Sequence, residues 1–582
     1  MNTVAYSIIV PVWGAKHVNR FLDWVLPTWF SPGNLPGLAA RSETELILLA
    51  PKADLDRITA HVAVSRLRDI CKLRPIEIDD LVPGAIGTVT LTLAFVRGAR
   101  AAIEQGRRRL IFLNADFVLA DGSIASIARR FDAGKKLLLC ASIRAREELV
   151  IPDLTARRQP NNAIVVSPRD AVRLALEAMH PTVLACRADQ PLLHSSHPNQ
   201  FFWRIDSKSL LLRAFLLFPL AVEPEKFPGP ADTYCDYGWI GTLAPQASVD
   251  IIDSSDELFI VELAPSGQEG DFVRAGVLDP IEAARGISVW ANEFSRSQPL
   301  TPIVFNSEDL SEQAMKRASE SSLTFVADLL RRLGPPAPVS NHPFWIGGAA
   351  AYVRNRREAG ITSVPSEMAI PSEASVALDL LPENLALNST LRSIAKRILV
   401  GQPNNRRPWH PYWASEQRIK ALGEMRITGD TTVAGGLPTR QDGTPAVVID
   451  LRDIRELNEL VGTLAAEVSP GDRAYLIIEQ GPSGSNDLLY LNERITLFAQ
   501  VDKFFQLASV RSLVTGQEER AANTHRRLAS DIQLASFGRA IALTLASGVA
   551  LARIAWKNWR FGHAASSSAK DAAFILELKR HL

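Results

Sequence analysis

The sequence is poor in cysteine, in net charge and in long apolar runs, and each scarcity excludes a class of protein. Only four of its 582 residues are cysteines, and Lys plus Arg (64) nearly equal Asp plus Glu (63), so the formal net charge is +1. The cysteines are Cys71, Cys140, Cys186 and Cys235. Their spacing matches neither a disulfide framework nor a structural zinc site, and it favours a reducing compartment. The balanced charge gives no reason to expect a nucleic acid as partner.

Long apolar segments are also missing. The stretch nearest to a membrane span is Ala540–Ala552, which is short and lies between Arg539 and Arg553. A spanning helix needs about 20 apolar residues. The apolar run Ile8–Val10 ends at Pro11 and has no basic residue before it, unlike a secretory signal. We therefore expect a cytoplasmic protein without a transmembrane helix.

The sequence has an ordinary globular composition, with 47% apolar and 22% charged residues, and its length predicts two to four domains. Short apolar strands alternate with amphipathic helices through the N-terminal part. The predicted strands are Ser7–Val12, Thr44–Ala50, Arg109–Leu113 and Lys136–Ser142, and the predicted helices are Val18–Leu26, Leu55–Leu67, Thr88–Gln105 and Ser123–Ala133. This alternation predicts an α/β fold with parallel strands and right-handed crossovers.

The rest of the chain predicts three further regions. A long helix over Glu308–Leu333 is followed by clusters of Pro and Ser, the last at Ser363–Ser375. A strand–helix–strand unit then covers Ala446–Asp450, Asp453–Val468 and Arg473–Glu479. The predicted divisions are a domain over residues 1–300, a helical extension over 301–375, a second, smaller α/β domain over 376–529 and a basic amphipathic helical tail over 530–582.

The segment Asn114-Ala115-Asp116 carries the most chemical information. It directly follows the apolar strand Arg109–Leu113, and ligands of open α/β sheets bind at the carboxyl ends of the strands. Residues two apart in an extended segment lie on the same side. One amide oxygen and one carboxylate could there hold a hard divalent cation. A polar turn at the end of a strand is the alternative, since Asn and Asp bond to their own backbone.

Three features in this order resemble glycosyltransferases of the GT-A fold, in the broad family-2-like group. They are the opening strand Ser7–Trp13, the long helix Thr88–Gln105, and Asn114–Asp116 followed by Asp121-Gly122-Ser123. The resemblance covers residues 5–145 well and 146–300 loosely. It implies a GT-A domain that binds a nucleotide sugar and transfers its sugar to a hydroxyl acceptor, such as a glycan or an envelope polysaccharide.

The same resemblance assigns roles to individual residues. Asn114-Ala115-Asp116 looks like the Asp-x-Asp motif of these enzymes, with asparagine in the first position. The resemblance therefore implies that Asp116 and Asn114 bind Mn²⁺ or Mg²⁺ and the donor diphosphate. It also implies that the loop after the first strand, with Pro11 and Trp13, lines the nucleotide site, together with Asp54 after the second strand.

Two acidic residues are candidates for the catalytic base. GT-A enzymes that invert configuration place such a base late in the domain, where it takes the proton of the acceptor hydroxyl. Asp236 lies among Tyr234, Tyr237 and Trp239, where burial would raise its pKa, and Asp232 is the competing candidate. The two could equally form a solvated turn.

A second polar and aromatic segment runs from His194 to Arg204. Its aromatic side chains could stack on a sugar or a base, and Arg204 could pair with a phosphate of the nucleotide sugar. His194 and His197 have no third ligand nearby in sequence, which disfavours a metal site. A loop with packed aromatic residues explains the segment equally well.

Other functions also remain open. The GT-A scaffold could serve binding or assembly without catalysis, because fold does not imply function. The unit from Ala446 to Glu479 resembles part of a Rossmann-like methyltransferase, although no glycine-rich cofactor loop is recognisable, and a methyl transfer that uses S-adenosylmethionine is the third hypothesis. The tail Leu534–Leu582 carries seven Lys/Arg against two acids, which could place it peripherally on an anionic membrane.

Overall fold

The computed structural model describes residues 4–190, 192–267, 272–369, 446–450, 457–480, 495, 498–512 and 572–581. Its contacts divide the chain into two compact units. The larger consists of Met1–Ala188, Ser195–Val273 and Asp279–Leu380, and the smaller of Asp189–His194, Arg274–Leu278 and Leu381–Leu582. The two long helices that follow residue 300 therefore belong to the larger unit.

The larger unit alternates strands and helices, as the sequence predicts. Its strands, with those of a short ribbon, are β1 (Ala5–Pro11), β2 (Glu43–Ala50), β3 (Lys72–Glu77), β4 (Arg109–Phe112), β5 (Phe117–Leu119), β6 (Leu137–Cys140), β7 (Ile143–Arg146), β8 (Leu193–Ser195), β9 (Gln200–Asp206), β10 (Ser209–Ala214), β11 (Phe218–Val222), β12 (Val249–Ile251), β13 (Ile260–Ala264), β14 (Val273–Ala275) and β15 (Ile303–Asn306).

The helices of this unit are mostly short. They are α1 (Ala15–Arg20), α2 (Leu26–Trp29), α3 (Leu35–Ala39), α4 (Lys52–Thr59), α5 (Val62–Ile70), α6 (Gly87–Glu104), α7 (Ser123–Asp132), α8 (Glu147–Ala156), α9 (Pro168–Glu177), α10 (Pro181–Leu184), α11 (Trp239–Leu243), α12 (Pro280–Ser288), α13 (Glu293–Ser297), α14 (Glu312–Arg332) and α15 (Pro343–Glu358). A π-helical turn, Phe21–Val25, joins α1 to α2, and 3₁₀ turns cover Cys235–Tyr237 and Gln298–Leu300.

A seven-stranded sheet with the order β12-β6-β11-β4-β1-β2-β3 forms the centre of the larger unit. Strand β1 is parallel to both β2 and β4, so that Ile8 lies opposite Leu46 and Ile111. Strand β2 is parallel to β3. Four neighbouring parallel strands therefore end at the same edge of the sheet. The predicted α/β fold is confirmed.

One strand of the central sheet, which the sequence pattern did not predict, is not parallel to its neighbours. Strand β11 inserts between β4 and β6 and is antiparallel to both. It falls in the stretch where the sequence pattern loosens, and its second residue is Pro219, which cannot donate a ladder hydrogen bond. The register shifts between Pro219 and Ala221. The local pattern was therefore too irregular to predict this strand.

Smaller sheets accompany the central one. In the first, β13 is antiparallel to β5 and parallel to β7. In the second, β10 is antiparallel to both β9 and β15. Strands β8 and β14 form a two-stranded ribbon. The first of these sheets adjoins Asp116, because β5 begins directly after it.

Capping side chains explain why two of the predicted helices differ from the observed ones. The predicted helix Leu55–Leu67 is two helices, α4 and α5, because the imidazole of His61 caps the second one and accepts a hydrogen bond from the Ala63 amide at 3.3 Å. The predicted helix Glu308–Leu333 begins later, at Glu312, because the Ser311 hydroxyl caps it through the Ala314 amide. Helix starts follow capping side chains more closely than apolar spacing.

The smaller unit contains a four-stranded sheet and a helix between the first two strands of that sheet. Its elements are β16 (Ala446–Asp450), α16 (Leu457–Glu467), β17 (Arg473–Gln480), β18 (Phe505–Ser512) and β19 (Ala572–Arg580), and the strand order is β16-β17-β19-β18. Strands β16 and β17 are parallel with α16 between them in sequence, so the predicted strand–helix–strand unit is confirmed.

The predicted helical tail is wrong for residues 572–580. This segment is β19, which is antiparallel to β17 on one side and to β18 on the other. Its Ala, Leu, Glu and Lys residues favour a helix, but backbone pairing with two flanking strands outweighs that preference. Residues 530–571 of the predicted tail lie outside the described residues. In the described parts of the chain, no helix is both long enough and apolar enough to cross a bilayer.

Helix α6 packs unusually close to the central sheet at Gly98. A Cβ atom added there would overlap Ile9 Cγ2 and would come within 3.2 Å of Leu49 Cδ1. Ile9 and Leu49 are fully buried on β1 and β2 and have no room to move aside. The glycine therefore sets the distance between the helix and the strands whose ends form the candidate site.

We expect Gly98→Ala to destabilise the larger unit. Overpacking of a filled core costs about 1–3 kcal/mol, which outweighs the helix preference of alanine. Urea denaturation should show a lower midpoint with an unchanged slope. Gly87→Ala is the matched control, because an added Cβ at this first residue of the same helix meets no atom within 4 Å. Equal stability of both variants would contradict the prediction.

Candidate functional site

The candidate site lies where the parallel strands of the central sheet end. Strands β1, β2 and β4 end at Pro11, Ala50 and Phe112, and polar loops follow each of them. The carboxyl ends of parallel strands meet at one edge of a sheet, where ligands bind in α/β folds. The topology therefore brings the predicted nucleotide loop and the Asn114–Asp116 segment to the same edge.

The loop after β1 is held by Asp54. The backbone N–H of Gly14 donates to Asp54 Oδ2 at 2.9 Å, and the N–H of Val12 donates to the Leu49 carbonyl at 2.9 Å. Gly14 has φ of 81°, a left-handed conformation that glycine adopts without strain. Pro11 is buried and Trp13 is partly exposed beside it. The structure thus brings Pro11, Trp13 and Asp54 together, and their contact with a nucleotide stays a prediction.

Asn114 and Asp116 have side-chain oxygens without partners. The backbone around them is tied down, since Leu113 N–H donates to the Ile9 carbonyl at 3.1 Å and Leu263 N–H donates to the Asp116 carbonyl at 3.0 Å. In contrast, Asn114 Oδ1 and Asp116 Oδ1 are buried and accept no hydrogen bond from any described residue. An unsatisfied buried oxygen costs free energy, and two of them together require an explanation.

Three charged side chains surround Asp116. Burial and the negative charge of Glu262 together raise the pKa of Asp116 to about 7, with Arg20 and Arg144 partly opposing the shift. A carboxylate with this pKa is expensive to keep ionised in the absence of a ligand. Perturbed carboxylates of this kind are concentrated at functional sites.

The partners of Asp116 form two ion pairs on different elements. Arg144 on β7 lies opposite Glu262 on β13, and its Nε donates to Glu262 Oε1 at 2.7 Å. Arg20 on α1, only 5% exposed, donates to Glu147 at the start of α8. Sequence reasoning missed these residues because they are far apart in the chain. The one local signal was an acid, Glu262, between the apolar residues Val261 and Leu263 in the middle of β13.

Asp236 lies in a short 3₁₀ turn within an aromatic cluster. The turn is anchored to α6, because Cys235 N–H donates to Thr92 Oγ1 at 3.2 Å. The Tyr237 ring lies 4.7 Å from the His342 ring and 5.3 Å from the Trp290 ring, between centroids. Burial raises the pKa of Asp236 to about 6, although backbone N–H groups partly oppose the shift. The predicted burial among aromatic side chains is therefore present.

Asp232 has a different environment. Its Oδ2 accepts a hydrogen bond from the Ser340 hydroxyl, and its carbonyl accepts one from His342 N–H at 3.3 Å. Both bonds attach the segment before the 3₁₀ turn to the loop that precedes α15. A carboxylate already used in such a contact is less suited to proton transfer, and which of the two acids acts as a base stays a prediction.

The Asp236 turn lies near the end of β4. Trp239, three residues after Asp236, packs edge-on against Phe112, with 5.8 Å between the ring centroids. Phe112 is the last residue of β4 and comes two residues before Asn114. Strand β4 therefore connects the segment with the orphaned oxygens to the segment with the candidate base.

Arg204 lies in a different sheet from β4 and β5, the strands on either side of Asp116. It is on β9, and its Nη1 donates to the Ser207 carbonyl at 3.3 Å, in the turn between β9 and β10. His197 Nδ1 lies 2.9 Å from the Ser196 hydroxyl, and its ring lies 5.8 Å from that of Phe272. The predicted contact of Arg204 with a phosphate, and that of the His194–Arg204 segment with a sugar or base, stay predictions.

A cation would find oxygen ligands at Asn114 and Asp116. Among the residues that the structure describes, no group of three or more His, Cys, Asp or Glu side chains is arranged to hold a metal ion. The two orphaned oxygens are nevertheless of the hard type that Mg²⁺ and Mn²⁺ prefer, and such cations often take their other ligands from phosphates and water. The residues present thus fit a cation that is shared with a diphosphate.

No family model matches the chain, and no curated protein matches it significantly. Solved structures do match. Mouse xyloside xylosyltransferase 1 in its apo form is 18% identical, with 25% of this chain and 55% of that chain covered and a TM-score of 0.18. A Bacillus anthracis protein described as a glucose-1-phosphate thymidylyltransferase, in complex with a sucrose, is 11% identical, with 25% and 57% covered and a TM-score of 0.19.

A third match covers a larger share of this chain and of the matched chain. The mannosyltransferase PcManGT from Pyrobaculum calidifontis, in complex with GDP-Man and Mn²⁺, is 13% identical, with 67% of this chain and 82% of that chain covered and a TM-score of 0.25. The chain spans a little over half the length of the first two proteins, at 55% and 57%. The solved structures that this chain resembles thus include glycosyltransferases, and at these TM-scores the matches assign it neither a substrate nor an activity.

Proposed function

We propose that the larger unit is a glycosyltransferase that moves a sugar from a nucleotide diphosphate to a hydroxyl acceptor. The observation that carries this proposal is the pair of buried, unpartnered oxygens, Asn114 Oδ1 and Asp116 Oδ1, at the carboxyl end of β4. A ligand that coordinates both oxygens would remove their cost. A cation bound to a diphosphate is such a ligand.

In this proposal Asp116 and Asn114 hold Mn²⁺ or Mg²⁺. When bound, the cation would neutralise negative charge on the diphosphate leaving group. The loop with Pro11 and Trp13 lines the nucleotide site, and Asp54 fixes that loop through Gly14 N–H. The half-exposed Trp13 offers a ring face on which a base can stack.

Asp236 is the proposed general base. Its carboxylate takes the proton of the acceptor hydroxyl while the hydroxyl oxygen bonds to the anomeric carbon and the bond from that carbon to the diphosphate oxygen breaks. The leaving diphosphate keeps the electron pair of the broken bond. A pKa of about 6 leaves Asp236 ionised at neutral pH and more basic than an exposed aspartate, which suits this task.

A binding panel tests the proposal. Purified protein is combined with common nucleotide sugars in Mn²⁺ and in EDTA, and thermal stability and free nucleotide release are recorded. A ligand at 100 times its dissociation constant stabilises the native state by about 2.7 kcal/mol, which shifts the melting temperature by several degrees. We expect this shift for at least one donor in Mn²⁺ with wild-type protein, and its loss in Asp116→Ala.

The control is Asp132→Asn. Asp132 is an exposed carboxylate that pairs with Arg109 at the opposite end of β4, with Nη1 to Oδ1 at 2.6 Å, so its loss should leave the donor shift intact. If no nucleotide sugar shifts the wild-type protein in either buffer, the proposal is wrong, and a binding or assembly role for the scaffold becomes the better hypothesis.

A further inference from the structure

We propose that Arg144 binds the donor diphosphate, exchanging its contact with Glu262 for one with the phosphate oxygens. This inference rests on the proposed function and adds a residue outside the Asn114–Asp116 segment. A third strand would then contribute to the donor site, in addition to the loops after β1 and β4.

Arg144 lies in the small sheet at the same level as Phe117, the residue that follows Asp116. Glu262 on β13 is opposite Arg144 on β7 and opposite Phe117 on β5, so the three residues lie side by side across three strands. Asp116 directly precedes Phe117. The Arg144 guanidinium and the Asp116 carboxyl are close enough to interact electrostatically, and each is stabilised in its charged form by the other. A diphosphate bound near Asp116 would come within reach of Arg144.

The guanidinium of Arg144 is only partly used by Glu262. Its Nε and Nη2 both approach the same oxygen, Glu262 Oε1, at 2.7 Å and 2.5 Å. No described residue accepts a hydrogen bond from Nη1, and 41% of the side chain is exposed. Arginine has five donors in a planar fork that matches phosphate geometry. An incoming anion can therefore approach Arg144 from the solvent side.

The other cation near Asp116 is not available in this way. Arg20 is 5% exposed and forms an ion pair with Glu147, which Lys16 also approaches at 3.4 Å. This pair holds the Arg20 guanidinium in place, so its charge acts on Asp116 from a fixed position. Arg144, in a more exposed pair with Glu262, can instead turn toward an incoming anion, and Glu262 then keeps the hydrogen bond that it accepts from the Ser142 hydroxyl at 3.3 Å.

A purely structural role makes a different prediction. If Arg144 only neutralises Glu262, replacing Arg144 alone leaves an uncompensated acid, and replacing both residues restores a neutral site. If Arg144 binds phosphate, the additional replacement of Glu262 does not restore the affinity for the donor diphosphate. The double variant therefore separates the two roles.

The experiment uses calorimetric titration of the full chain with UDP, GDP, CDP and ADP, and with the nucleoside of whichever diphosphate binds, in Mn²⁺ and in EDTA. The variants are Arg144→Gln, Arg144→Gln/Glu262→Gln and, as control, Arg169→Gln. Arg169 is a surface arginine that pairs with Asp256 at 3.1 Å and Asp309 at 2.8 Å. We expect Arg144→Gln to weaken diphosphate binding at least tenfold, with no change for the nucleoside or in the control.

We expect the double variant to bind the diphosphate as weakly as the single one. Wild-type affinity in Arg144→Gln, or recovery to within twofold in the double variant, would overturn the inference and leave the proposed function intact. Failure of the wild-type protein to bind any nucleoside diphosphate in either buffer would instead overturn the proposed function. If Arg144→Gln does not fold, the double variant still decides, because it removes both charges of the pair together.

Discussion

Replacing Asp236 with asparagine should lower kcat by about 10²- to 10⁴-fold, the range that general base catalysis contributes. Asparagine keeps the size and most hydrogen bonds of the side chain but cannot accept the acceptor's proton. Substrate binding should change little, because the base acts mainly in the transition state. The rate of nucleotide release in the presence of acceptor measures the effect.

The pH profile gives a second measure of the same prediction. With a pKa of about 6, Asp236 is protonated and inactive at low pH, so kcat of the wild-type protein at saturating donor and Mn²⁺, where the cation keeps Asp116 ionised, should rise through pH 6 and then level off. This limb should be absent in Asp236→Asn. If Asp232 is the base, Asp232→Asn loses kcat and Asp236→Asn does not, which would contradict the assignment.

In the absence of ligand, the free energy of unfolding of Asp116→Asn should increase relative to that of the wild type as the pH rises. Burial raises the pKa of Asp116 to about 7, far above the value of about 3.9 in an unfolded chain, so the folded state binds more protons between these two values. The stability contributed by protonated Asp116 is therefore present at low pH and lost as the pH rises through 7. The asparagine variant does not undergo this loss.

The stability that Asp116→Asn gains relative to the wild type can be given an approximate range. One pKa unit corresponds to 1.36 kcal/mol, and the side chain is partly exposed, so we expect the advantage of Asp116→Asn over the wild type to grow by about 1–2 kcal/mol between pH 5 and pH 8. Urea denaturation in EDTA measures it without a cation on the carboxylate. Asp132→Asn should show no such growth, because Asp132 is 68% exposed and paired with Arg109. An Asp116→Asn variant that becomes less stable with rising pH would contradict the prediction.

The two variants together describe one property of the site. Asp116→Ala should abolish donor binding, and Asp116→Asn should make the ligand-free protein more stable. A group that costs stability and is needed for binding has been retained for its function. Neither result alone would show this, since many substitutions lower activity and some raise stability.

Much of the central sheet could be predicted from local patterns. Strands β1, β2 and β4 are continuous apolar runs, and α6 shows helical spacing that ends at Gly106, so local sequence is enough to find them. Strand β3 was missed because Pro75 interrupts it and its side chains are largely exposed. Strands β9, β10 and β11 were missed because their segment mixes Pro and aromatic residues and has no clear period.

The candidate site could be predicted only in part. The sequence predicts that the strands before four site residues are parallel, and it therefore predicts that these residues lie near one another at one edge of the sheet. The four residues are Pro11, Trp13, Asn114 and Asp116. Asp54 could be proposed because it is the first acidic residue after the second predicted strand.

Glu262 and Arg144 could not be predicted in the same way. They come from strands of a second sheet whose pairing with β5 depends on contacts far apart in the chain. Arg20 reaches the site from α1 through its pair with Glu147, for which the sequence offers no local pattern.

The sequence therefore determined which segments form strands in the N-terminal sheet and which polar residues follow them, because both depend on side chains a few positions apart. The tertiary structure decided the antiparallel insertion of β11, the strand at residues 572–580 and the charges that act on Asp116. Strand direction and pairing depend on which edges meet, and the pKa of a buried carboxyl depends on every charge packed near it. Such long-range contacts leave no period in the sequence, so they become visible only when the chain is folded.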